Sequence, residues 1–171
     1  MTQEPLTLYK LIILYMLEQV DFPLTTAHIN EFILEQGYTN YITLQQALSE
    51  LTESGLVNSQ TVRNRTYLTN TKEGTETLQF FGNRISDAIR DDIAEYFAQN
   101  EITLRSEVNI HADYYKSTSG EYEVRMVARD KEALLIDLTL SVPDKAMAQQ
   151  MCDNWERNNQ QIYQYLMERL L

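Results

Sequence analysis

The chain has 171 residues, 43% of them hydrophobic, and a formal net charge of −11. That length allows one domain or two small ones, and the apolar share suffices for a core. The negative balance disfavours general affinity for nucleic acid or membrane surfaces and favours solubility. A single cysteine, Cys152, cannot form an internal disulfide, which fits a reducing, cytoplasmic compartment. The apolar run LIILYML at 11–17 is too short to span a membrane. Glu4 ahead of it, and the lack of a small-residue cleavage site after it, speak against a secretion signal.

Taken in chain order, the first helix is expected over 5–19, with Pro5 in the first turn and Leu8, Leu11, Ile12, Tyr15 and Met16 at helical spacing. Asp21-Phe22-Pro23 ends it. A second helix follows over 26–36, capped by Thr25 or Thr26 and closed at Gly37. A third covers 41–54, with Asn40 and Thr43 as alternative caps and Leu44, Ala47, Leu48 and Leu51 as its inner stripe. Gly55 stops it and Leu56-Val57 start a strand. The stretch 58–65 reads as polar and turn-rich, and Tyr67-Leu68 as a returning strand.

A long helix is expected over about 71–100, with a kink or break at Gly82-Asn83. From 102 the apolar residues alternate through Ile102, Leu104, Val108, Ile110, Ala112 and Tyr114, which predicts a strand with one wet face. Tyr122, Val124, Met126 and Ala128 predict a second strand. Leu134, Ile136, Leu138, Leu140 and Val142 predict a third, with connections short enough for an antiparallel meander. Pro143 and Asp144 open a last helix, about 144–171. The expected class is therefore α+β: three helices with a hairpin over 1–80, then an α-β-β-β-α half over 81–171, the helix at 71–100 shared between them.

Three helices followed by a two-stranded ribbon is the order of a winged helix-turn-helix, a DNA-reading frame. At Leu48, Leu51, Gly55-Leu56-Val57, Tyr67-Leu68-Thr69 and Gly74 the chain resembles winged-helix regulators of the PadR and MarR kind. Its whole order is similar to an uncharacterised bacterial winged-helix family described as transcriptional regulators. The resemblance implies that the third helix is the recognition helix and that 58–66 is the wing. Charge is the departure: those regulators carry Lys or Arg on the recognition helix, and this one carries none.

Residues 1–80 hold four basic residues (Lys10, Arg63, Arg65 and Lys72) against nine acidic ones. Phosphate neutralisation is therefore weak, about −3.6 in log–log salt slope for two wing arginines in each copy of a dimer. Base readout needs donors and acceptors rather than charge. Thr43, Gln45, Gln46 and Ser49 point away from the leucine stripe and can supply them. Arg63 and Arg65 would touch phosphate from the hairpin tip. The alternative is an acidic winged-helix module that contacts another protein and no DNA.

Neither His28 nor His111 has companions at metal-ligand spacing, although Asn109, His111 and Asp113 would share a strand face. Surface roles are expected for both histidines, and no metal or cofactor is expected. None of the nucleotide-loop, hydrolase-elbow or metalloprotease motifs is present, so no enzymatic activity is expected. The last helix can cover the sheet, yet its apolar residues spread over more than one stripe. Trp155, Ile162, Tyr163, Leu166 and Leu170 are accordingly candidates for a homodimer interface.

Overall fold

The computed structural model describes residues 3–171. They form a mixed α+β structure with six α-helices and two three-stranded antiparallel sheets. The helices are α1 (Gln3–Glu18), α2 (Thr26–Glu35), α3 (Tyr41–Glu53), α4 (Lys72–Phe81), α5 (Asp87–Asn109) and α6 (Lys145–Leu170). The strands are β1 (Leu24–Thr25), β2 (Val57–Val62), β3 (Arg65–Asn70), β4 (Ile110–Lys116), β5 (Tyr122–Asp130) and β6 (Ala133–Val142). Two compact units result, Met1–Glu101 and Ile102–Leu171. The division falls inside α5, some way beyond the boundary expected near 80.

In the first unit α1 is buried on nearly every side from Leu11 to Leu17, and packs against α3, α4 and β3. The heptapeptide LIILYML is thus a core helix. Among the described residues, no helix is long and apolar enough to cross a membrane. The stripe Leu44, Ala47, Leu48 and Leu51 is buried as expected. Asn40 rather than Thr43 caps α3, its Oδ1 accepting the Thr43 N–H at 2.9 Å. Gly55 takes φ +75 at the far end. There the Leu56 N–H returns to Leu51 O and the Gly55 N–H to Thr52 O, the paired bonds of a Schellman ending.

The turn after α3 is clamped by the start of α4. Thr71 donates its N–H to Leu56 O and its hydroxyl to Gly55 O, then accepts from the Gly74 N–H at 3.0 Å. Gly74 lies so close that an added Cβ would stand 2.1 Å from Leu56 O. Only glycine permits that approach.

Two expectations for this unit are corrected. The stretch 58–65 is not mostly turn: Asn58 to Val62 pair in register with Thr69 to Arg65, leaving a two-residue connection. Polar composition there reports exposure, not a missing strand. The structure also contains a short strand, β1, that the sequence pattern does not show. It pairs Leu24 with Leu68 and Thr25 with Tyr67, giving the sheet order β1-β3-β2. Its two residues are too few for an alternation to show. The expected break at Gly82-Asn83 is real: a 3-10 turn over Gly82–Arg84 separates α4 from α5.

The second unit is the expected meander, order β4-β5-β6, with α6 packed chiefly on β4 and β5. Its core joins Val124, Met126, Ala128 and Val142 to Ala148, Cys152 and Trp155 of α6. Asp144 caps α6 by accepting the Met147 N–H at 2.8 Å.

The predicted strand beginning at 102 is a correction, since α5 continues to Asn109. Leu104 is 3% exposed and Ile102 is 89% exposed, so the two do not share an inner face. Ile93, Phe97 and Leu104 are all buried at helical spacing. Glu101, Leu104, Arg105 and Glu107 also favour helix. The third strand is less covered than its alternation implied: Leu134 and Leu140 are about half exposed, at 50% and 46%. A register step beside Ala128/Arg129 pairs Leu134 with Arg129 and leaves Leu135 without an opposite number.

Candidate functional site

The outward face of α3 begins at its cap. With Asn40 at the N-cap, Tyr41 and Ile42 occupy the first turn, 58% and 80% exposed. Gln46 and Ser49 continue the face and are exposed, while Thr43 is half-buried. Gln45 is half-buried and turned toward α2, its amide donating to Asn30 Oδ1 at 3.2 Å. The Gln46 amide donates to Glu50 Oε1 at 3.1 Å. Thr43 and Gln46 line a groove of about 830 Å³ between α1 and α3, together with Tyr9, Lys10 and Glu50.

Lys10 of α1 forms an ion pair with Glu50. The Lys10 contact, then the Gln46 amide, hold the Glu50 carboxyl below its ordinary pKa. Glu50 is thereby paired from the neighbouring helix, while Glu53, one turn beyond Ser49, is exposed at the end of the outward face. Sequence reasoning missed this role for Lys10, because the contact is long-range. It also missed Tyr41 and Ile42, which become first-turn residues once Asn40 is fixed as the cap.

The hairpin tip is Arg63-Asn64, with φ +45 and +66, the signature of a type I′ connection. Val62 and Arg65 close it, and the Thr61 and Thr66 hydroxyls meet at 3.1 Å. Arg65 is exposed and Arg63 half-buried. The two arginines thus stand at the far end of β2 from α3, about 20 Å along a six-residue strand. The structure keeps Thr43, Gln46 and Ser49 on one surface, turns Gln45 aside, and sets Arg63 and Arg65 together at the tip.

Behind α3 the unit is braced by Tyr38, whose hydroxyl donates to Asp92 Oδ2 at 2.5 Å. Burial, then the hydrogen bond to Asp92 and its charge, push the Tyr38 phenol well above its ordinary pKa. Its ring packs edge-on against Phe32.

In the second unit Trp155 is 1% exposed and its indole N–H donates to Val127 O. Trp155 therefore belongs to the local core and is removed from the set of interface candidates. Ile162, Tyr163 and Leu166 are half-buried and Leu170 is 77% exposed. The shared strand face of Asn109, His111 and Asp113 does not form, since Asn109 ends α5. Arg125 grips Asp137 of β6 in a two-pronged bond at 3.0 and 2.7 Å. Among the described residues, no group of three His, Cys, Asp or Glu side chains could hold a metal ion.

No curated protein and no solved structure matches the chain. Residues 9–170 match the family model described as a domain of unknown function, DUF4364. The match runs from α1 to the last residue of α6, through both units, and the chain belongs to the DUF4364 family.

Proposed function

We propose that the first unit is a winged helix of the PadR and MarR kind, and that the protein is a cytoplasmic, DNA-binding, non-enzymatic regulator acting as a homodimer. The order α1-β1-α2-α3-β2-β3 and the sheet order β1-β3-β2 support the frame. In that frame α3 is the recognition helix and the Arg63-Asn64 tip is the wing.

The observation that carries the reading is the exposed face of α3 before Glu50. From Tyr41 to Ser49 it presents no charge, and Glu50 is paired to Lys10. This uncharged stretch, with the exposed Glu53 one turn beyond it, can approach base edges in an otherwise acidic protein. Gln46 is suited to adenine, Ser49 to either base type, and Ile42 to a thymine methyl. Arg63 and Arg65 would add phosphate contacts.

Selection from random duplexes at low salt is expected to return an enriched sequence, and Gln46→Ala with Ile42→Ala to erase the preference. Arg63→Ala with Arg65→Ala is expected to flatten the log–log salt slope by about 1 for each lost phosphate contact per protomer. A selection that enriches nothing would overturn the reading.

One observation favours a second reading, an acidic module that contacts a protein. Phe80 and Phe81 are exposed on α4, at 80% and 47%, in a unit that already exposes Tyr41 and Ile42. Failure of the duplex selection, together with a basic partner whose retention is lost on Phe80→Ser, would favour this reading.

A further inference from the structure

β6 is a bare outer strand. It is ten residues long, and from Ala133 to Ser141 every residue is exposed or half-buried. Outer strands are ordinarily protected by shortness, by proline, by a bulge or by charge pointing off the edge. β6 reads ALLIDLTLSV; its bulge is confined to Leu135, and from Ile136 to Val142 it has none of these, its one charged residue, Asp137, being held by Arg125 of the adjacent strand. The opposite edge differs. β4 has seven residues, carries His111, Asp113 and Lys116, and lies under α6.

The apolar side of β6 continues into a groove of about 310 Å³, lined by Leu138, Leu140, Met126, Met147, Met151 and Ile162. None of the residues around that groove is charged. Because α6 sits chiefly on β4 and β5, it leaves this side of β6 open.

We propose that β6 pairs antiparallel with β6 of a second copy across a two-fold axis, joining the two meanders into one six-stranded sheet. A row of unpaired backbone donors and acceptors is matched by a strand and not by a helix. Two chains of net charge −11 repel, so a contact between copies needs a surface as free of charge as this one.

The side chains select the register. Pairing Asp137 with its twin would set like charges opposite each other. Centring the axis on Leu138 instead sets Asp137 against the Thr139 hydroxyl of the second copy, and Ile136 against its Leu140. Antiparallel pairing about a two-fold is self-complementary, so both halves of the seam form at once. The two grooves then lie side by side, where the flexible Met147 and Met151 side chains of both copies can fill the space between them. The assignment rests on the self-association proposed above and not on DNA contact, so either can fail while the other stands.

Sedimentation of the full chain without DNA tests it. The wild type is expected to be a dimer at about 100 µM. Leu134→Glu with Leu140→Glu should make it a monomer with an unchanged far-UV spectrum, and Leu170→Lys should leave it dimeric. A second measurement needs no change of charge. A spin label on Thr139→Cys should find its twin about two residues along the paired strand, giving a separation under about 15 Å. A monomeric wild type would overturn the proposal, whether or not an extended foreign peptide occupies the edge. So would a dimer lacking the short distance, or one that survives the β6 changes and is lost with Leu170→Lys.

Discussion

β2 and β6 are both outer strands of three-stranded antiparallel sheets, yet they meet solvent differently. β2 shows Asn58, Ser59, Gln60 and Thr61, whereas β6 shows Leu134, Leu135 and Leu140. The first sheet also limits its other edge by keeping β1 to two residues. Its core is shared among many aliphatic side chains from α1, α2 and α3, and the sheet contributes few of its own. In the second unit a single helix, α6, supplies Ala148, Cys152 and Trp155 to a core made mainly by strands. The contrast teaches that a sheet under several helices can be polar at its rim, whereas a sheet under one helix is left with apolar surface that the helix does not reach.

The comparison breaks or sharpens at three points. Trp155→Ala should have the largest effect, costing about 3–5 kcal/mol, because one side chain fills much of the core beneath α6. Ile33→Val, equally buried in the first unit, should cost only about 0.5–1.5 kcal/mol. Denaturant titration of both variants measures the difference. Equal losses would mean that the second unit does not depend on its one large residue.

Gly74→Ala comes next, at about 1–3 kcal/mol, because the new methyl would collide with the backbone carbonyl of Leu56. A thermal midpoint unchanged by that substitution would show that α4 and the Gly55-Leu56 turn can separate at little cost. Gly37 has open space where its Cβ would be, but it sits at φ +71. Its replacement should act through backbone strain alone.

The smallest effect concerns pH. The hydrogen bond from Arg125, opposed in part by desolvation, holds the Asp137 carboxyl below its ordinary pKa. A carboxyl depressed in the folded state stabilises it fully above the ordinary carboxylate range. That contribution is lost as pH falls through the folded value. Arg125→Met should therefore lower stability slightly at pH 7, with the gap from the wild type closing as pH falls through the acid range, so that the variant's profile is less steep there. An identical acid profile would mean that solvent screens this pair completely.

Most elements were legible where periodicity and punctuation agreed. The buried stripe of α3, the glycine that ends it, and the three strands of the meander are examples. The reading failed where one pattern served two structures. Ile102, Leu104 and Val108 alternate like a strand, but Leu104 also extends the helical series from Ile93 and Phe97, and helix-forming neighbours decide the outcome. In β2 a polar run hid a strand whose side chains are simply exposed.

For the candidate site, Thr43, Gln46 and Ser49 followed from the inner stripe of α3, because the opposite face of a helix is fixed by its period. The turning of Gln45 toward Asn30, and the pairing of Lys10 with Glu50, depend on neighbours 15 and 40 positions away in the chain. No local pattern encodes them. Trp155 on the last helix suits both a local core and an interface, and its burial with the bond to the Val127 carbonyl decides for the core.

Cys152 is the sole thiol of the chain, and it is wholly enclosed beneath α6. A thiol reagent can reach it only when that helix lifts from its sheet. The protein thus carries a built-in clock for the breathing of its second unit, readable at one sulfur without any added label.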